Sequence, residues 1–280
     1  MLKTVLPHYV STTERIWYYT LRILCALILL FLVLPILVII PLSFSQSSLL
    51  LYPIQSFSLR WYDTLFHSSD WIRAATNSFI VAPSATVIAT VLGTLAAAGL
   101  HRAQFPGKGF LVAVLISPMI VPLVVTGLGI YLFFAPYGLV NSYSGLILAL
   151  AAIGAPYVVT TVSATLQGLD PNLLRASYSL GAGPIRTFFG VTLPIIAPGV
   201  IAGALFAFAT AFDEIVITLF LAGPEQVTLP RQMFTGIREN ISPVIAAVAT
   251  ILILFSTSLL LVLEWLRGRA AARTTRVTST

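Results

Sequence analysis

A chain of 280 residues in which 58% are hydrophobic and only 9% charged cannot clothe a water-soluble domain, whose surface typically takes about a quarter of its residues as charges. It is therefore an integral membrane protein. The net charge of +6 does not point to nucleic acid, because the basic residues are scattered between apolar blocks, and the single Cys25 excludes an internal disulfide or a cysteine-based metal site.

The chain opens on a mixed polar segment, residues 1–20, with Lys3, Glu14 and Arg15. It is too long and too weakly basic to read as a cleaved signal, and no small-residue cleavage site follows the first apolar run. That run, about 21–44, is long enough to cross roughly 30 Å of hydrocarbon, and membrane helices tolerate prolines such as Pro35 and Pro41. An amphipathic connection over 45–73 carries Trp61, Tyr62, His67 and Trp71, a density of aromatic residues that predicts interfacial anchors. Further spans are predicted over 74–100, 110–134, 144–166, 195–221 and 243–266. In the third span Pro118, Pro122, Gly127 and Gly129 fit either an unwound helix beside a pathway or packed kinks. A second amphipathic connection fills 222–242, and a basic tail closes the chain over 267–280.

Eleven of the fifteen basic residues fall on one side of this topology: Lys3, Arg15, Arg22, Arg102, Lys108, Arg175, Arg186, Arg267, Arg269, Arg273 and Arg276. Only Arg60, Arg73, Arg231 and Arg238 fall on the other. The positive-inside rule then predicts both termini and the 170–194 segment in the cytoplasm.

That segment, DPNLLRASYSLGAGPIRTFFGVTLP, is the one long interruption that is punctuated rather than merely polar. Asp170-Pro171 suits an N-cap and first helical position. Gly181 suits a helix stop, Gly183-Pro184 a second start, and Leu193-Pro194 a turn into the next span. A helix–turn–helix between spans predicts a docking surface.

The fifth span holds Asp213-Glu214, and ionisable groups there cost a few kcal/mol unless they face protein or water. Gly199, Gly203, Ala207 and Ala211 form a small-residue stripe at four-residue spacing. On a continuous helix Glu214 falls on this stripe and Asp213 beside it, in line with Phe206 and Thr210. Leu205, Phe208, Phe212, Ile215 and Leu219 gather on the far side, where lipid can cover them. Two readings follow: a solute path lined by Asp213, Glu214, Thr210 and Phe206, or a structural pair bonded within the protein.

No catalytic constellation stands out. Gly107-Lys108 lacks the second glycine and the Ser/Thr of a phosphate-binding loop, so ATP binding by this chain is not expected. His8, His67 and His101 lie far apart and read as solvated residues rather than metal ligands.

Arg175-Ala176-Ser177, three residues, Gly181, nine residues, then Val191-Thr192-Leu193-Pro194 resembles the E-A-A-x3-G-x9-I-x-L-P loop of membrane subunits of binding-protein-dependent ABC importers. Arg175 replaces the family's Glu and Ser177 its second Ala. Phe57-Ser58-Leu59-Arg60-Trp61-Tyr62, Asn77-Ser78, Gly93, Arg102 with Phe105-Pro106-Gly107, Phe212-Asp213-Glu214 and Thr228-Leu229-Pro230 resemble the spermidine/putrescine type. The resemblance implies an all-α, six-span, MetI-like permease fold in the bacterial inner membrane. It implies a heterodimer with a second permease, two ATPase subunits that carry the ATP and Mg, and an extracytoplasmic solute-binding protein. It also implies that Arg175, Ala176, Ser177, Gly181, Leu193 and Pro194 shape the loop that sits in a groove of the ATPase. Two rivals stay open on the residues alone: a secondary transporter with protons on Asp213 and Glu214, and a membrane anchor without transport.

Overall fold

A computed structural model describes residues 11–239, 242–258 and 261. Lys3, His8 and the basic tail with Arg267, Arg269, Arg273 and Arg276 lie outside the described residues. The described chain is helical, and its only strand-like feature is an isolated bridge between Ser45 and Phe57. It divides into two compact units, Ser68–Thr235 and the remainder.

In the smaller unit α1 spans Thr12–Leu42, starting about nine residues before the apolar run, because Ser11 and Glu14 form a reciprocal capping box. None of its residues is buried. The following loop returns to α1's end: Ser43 Oγ lies 2.7 Å from Tyr62 Oη, and Trp61 Nε1 donates to Ser45 O at 2.7 Å. Trp61, on α2 (Arg60–His67), is thus buried inside the unit and is not an interfacial anchor. His67, which also belongs to α2, is exposed as expected. Of this unit's C-terminal part, Pro243–Ser258 forms α12, a shorter apolar helix.

The larger unit is organised around α6 (Tyr143–Gln167), which packs between α3 (Ser69–Arg102) and α9 (Leu193–Phe212). Small residues make the approach possible. Ala82, Ala85, Ala89, Gly93 and Ala97 of α3 are buried, as are Gly199, Gly203, Ala207 and Ala211 of α9. Between them Leu146, Leu150, Ile153, Val158, Val162 and Leu166 of α6 fill the core. A Cβ placed on Gly203 meets Val158 Cα at 2.8 Å, and one on Gly93 meets Val158 Cβ at 2.7 Å. Both contacts are closer than real side chains allow, so these glycines set the helix spacing.

The third span is not one helix. α4 (Lys108–Ile116) passes through a single 3-10 turn at Ser117–Met119, and α5 (Leu123–Phe134) departs at 105°. Pro118 and Pro122 supply no N–H and crowd the preceding turn, so the hydrogen-bond ladder stops between them. Among the described residues four helices, α1, α3, α6 and the run Pro184–Phe212, are individually long and apolar enough to cross a membrane; the bent pair, counted as one span, makes a fifth, and α12 is a shorter apolar helix.

Candidate functional site at the two ends of α9

At one end of α9 stands the punctuated loop. Asp170 accepts from Asn172 N at 2.9 Å and caps α7 (Pro171–Ser179), with Pro171 in the first turn. Gly181 takes φ +83, the left-handed conformation that ends a helix at low cost to glycine alone. α8 (Pro184–Thr187) then restarts the helix at Pro184. Leu193-Pro194 does not turn the chain, contrary to the sequence reading. α8 runs through one π-helical segment, Phe188–Thr192, directly into α9, so Pro194 sits within a continuous helical run just after the widened turn.

The six loop residues separate by role. Arg175, Ala176, Gly181 and Pro194 are exposed. Ser177 is buried, its Oγ 3.0 Å from Thr187 Oγ1, which ties α7 to α8. Leu193 is half-buried and packs against the core. Arg102, at the end of α3, donates to Tyr178 Oη at 3.1 Å and fastens α7 to α3. Leu180, Ile185 and Phe189 are strongly exposed, and a shallow groove of about 640 Å³ opens along Gly183, Pro184, Ile185, Arg186, Phe189 and Gly190.

At the other end α9 stops at Phe212, with Asp213 as its C-cap, and α10 (Val216–Leu221) begins after a break. The fifth span is therefore not continuous to residue 221. Glu214 stands at the break. Its Oε1 accepts from Ile217 N at 2.9 Å, and its carbonyl accepts from Thr218 Oγ1 at 2.9 Å, so the residue serves α10's first turn instead of extending α9. The two carboxylates consequently part. Glu214 is 6% exposed, whereas Asp213 lies open on a face with Phe206 and Ala209. Thr210 is half-buried between the two faces. Phe208 and Phe212 are not left to lipid: both pack against the core, and Phe212 meets the Phe79 ring edge-on at 5.6 Å.

Arg231, on α11 (Leu229–Glu239), was assigned only to topology in the sequence. Its Nη1 donates to Ala222 O at 2.5 Å and Thr218 O at 3.3 Å, closing α10's C-terminus. Burial lowers its guanidinium pKa from the ordinary arginine value, though arginine stays charged. Asn77 pins the intervening loop, donating to Glu225 O and Val227 O, both at 2.8 Å, and accepting from Tyr143 Oη at 2.8 Å. Ser78 Oγ accepts from Leu229 N at 2.8 Å. In the sequence Asn77 stands out only through the resemblance, and nothing in the periodicity marks Arg231 as a helix cap.

The loop and Asp213 thus sit at opposite ends of one helix, about 30 Å apart at roughly 1.5 Å per residue. Among the described residues no cluster of His, Cys, Asp and Glu could hold a metal ion.

Residues 89–276 match the family described as the binding-protein-dependent transport system inner membrane component. The chain belongs to that family. It is 31% identical over 231 residues to the spermidine/putrescine transport system permease protein PotC of Haemophilus influenzae, covering 82% of this chain and 89% of that protein. It is 33% identical over 234 residues to the putrescine transport system permease protein PotI of Escherichia coli strain K12, covering 80% and 82%. In fold it is similar to a bacterial ABC transporter involved in the import of the acidic polysaccharide alginate, with a TM-score of 0.71 at 15% identity, covering 94% of this chain and 99% of that one. The protein is a membrane-embedded permease subunit, and the bent α4–α5 pair and the α7–α9 loop are features of this permease's own fold.

Proposed function

We propose that this permease carries a small organic cation of the polyamine class through a path shared with a second permease subunit, in a heterodimer. Two ATPase subunits dock on the α7–α9 loop and hold the ATP and Mg; an extracytoplasmic binding protein delivers the solute. Both termini and the loop lie on the cytoplasmic side of the bacterial inner membrane, with residues 1–20 and 267–280 flanking a transmembrane domain over 21–266. The 31–33% identity to permeases of spermidine and putrescine systems supports the substrate class.

The observation that carries the reading is Asp213. A carboxyl group at the end of a 20-residue apolar helix, open on the same face as Phe206 and Ala209, suits a cation-conducting face and is poorly suited to hydrocarbon. Glu214, already engaged by α10, supports the path by shape rather than by charge. At the loop, exposed Leu180, Ile185 and Phe189 form an apolar surface at the start of the run Pro184–Phe212, which favours a protein partner. Arg175 presents a cation beside it.

Uptake of labelled putrescine is measured in proteoliposomes containing the complete transporter. Dependence on internal ATP and on the binding protein supports the proposal; uptake driven by a proton gradient alone overturns it.

A further inference from the structure

Between Asp213 and the loop, the open faces of α6 and α9 carry one pair of aromatic rings. Tyr157 and Phe206 lie near-parallel, with 6.4 Å between centroids and 23° between planes, and Phe206 is 56% exposed. Both are deep in their helices. Phe206 is about 20 Å along α9 from Leu193, and Tyr157 about 15 Å along α6 from Gln167, at roughly 1.5 Å per residue.

The pair stands within a graded surface. Two turns further along α9 the same face carries the Asp213 carboxylate. In the other direction Tyr157 shares its face of α6 with Thr160, Ala164 and Gln167, at helical spacing. Thr160, Ser163 and Gln167 line a groove of about 490 Å³ against Val112 and Ile116 of α4, with His101 and Lys108 also in its lining. A face meant only for lipid has no need of a carboxyl group at one end and a groove with Thr160, Ser163 and Gln167 in its lining at the other.

We infer that the Tyr157–Phe206 pair is an ammonium-binding platform, the station at which a primary amine of the solute rests between Asp213 and the α4–α6 groove. The inference rests on the proposed solute path and adds a specificity element to it. Aromatic faces attract organic cations through the ring quadrupole, and the attraction grows as water is removed. A ring platform also holds a cation weakly enough to release it, which a buried carboxylate at mid-membrane does not. Discrimination against neutral solutes and against small hydrated metal cations follows from the same chemistry, since a primary ammonium sheds water more readily than they do.

The test uses the complete transporter in proteoliposomes with putrescine and spermidine as probes, and variants Phe206→Leu, Tyr157→Leu, Phe206→Trp, Tyr157→Phe and Asp213→Asn. Each leucine variant is expected to lower amine uptake roughly tenfold while assembly and binding-protein-stimulated ATP hydrolysis stay unchanged. The tryptophan and phenylalanine variants are expected to stay within about twofold of wild type, because each keeps a ring face. If Asp213→Asn impairs uptake and the leucine variants do not, the platform is refuted and the path stands. Equal impairment in Phe206→Leu and Phe206→Trp also refutes the platform. If none of the variants impairs uptake, or wild type carries neither amine, the path reading fails and the platform with it.

Discussion

Glu214 and Arg231 hold opposite ends of the same six-residue helix. The carboxylate accepts from Ile217 N at the start of α10, and the guanidinium donates to Thr218 O and Ala222 O at its end. An anion at a helix N-terminus and a cation at its C-terminus both complement the helix dipole. A helix this short is unstable alone, so its shape depends on these two residues. Arg231→Ala is expected to cost about 1–2 kcal/mol, and Glu214→Ala a similar amount. The double variant is expected to cost less than the sum, because once one cap is lost the helix frays. Thermal unfolding of the purified transporter in detergent checks both statements.

The open carboxylate behaves differently from the buried one. Asp213→Asn preserves volume and hydrogen bonding at the C-cap of α9 but removes the charge. It is expected to reduce uptake of a cationic solute about tenfold or more without lowering membrane abundance, whereas Glu214→Gln lowers stability first. Transport and immunoblot measurements on the same membranes separate the two.

The spacing of α6 and α9 depends on absent side chains. Gly203→Ala places a Cβ against Val158 Cα and is expected to destabilise by about 1–3 kcal/mol, with reduced abundance. Gly190→Ala serves as the control, since a Cβ there meets nothing within 4 Å. Equal abundance of the two variants argues against close packing as the reason for the stripe.

In the loop, Leu180→Asp and Ile185→Asp alter residues that support nothing inside the protein. They are expected to abolish co-purification of an ATPase subunit while leaving the permease folded. Arg175→Glu, at an exposed position, is expected to change ATPase stimulation rather than permease stability. Pull-down and ATP hydrolysis assays read the two effects.

Asn77→Ala removes two donated bonds and one accepted bond at once, leaving the carbonyls of Glu225 and Val227 without their amide partner. A loss of about 1–3 kcal/mol is expected, localised to the 222–229 loop. Faster proteolysis within that loop, with the rest of the chain still protected, is the measurement.

Much of this was legible in the sequence because it depends on local chemistry. Apolar runs mark spans through the hydrocarbon thickness they must cross. Asp170-Pro171, Gly181 and Gly183-Pro184 mark the loop because capping and left-handed backbone are properties of single residues. The stripe from Gly199 to Ala211 proved to be the buried face of α9 because helical periodicity alone places it. Only the tertiary structure decided the rest. Leu193-Pro194 is compatible with either a turn or a helix start, and the neighbouring π-helical segment selects the helix. Pro118 and Pro122 announce a break, but its 105° is set by what α4 and α5 pack against. Asp213 and Glu214 are adjacent acids to any periodicity. They become different groups because one carboxyl accepts from the N–H of Ile217 and serves the next helix, whose far end Arg231 closes beside a loop pinned by Asn77 from a distant part of the chain.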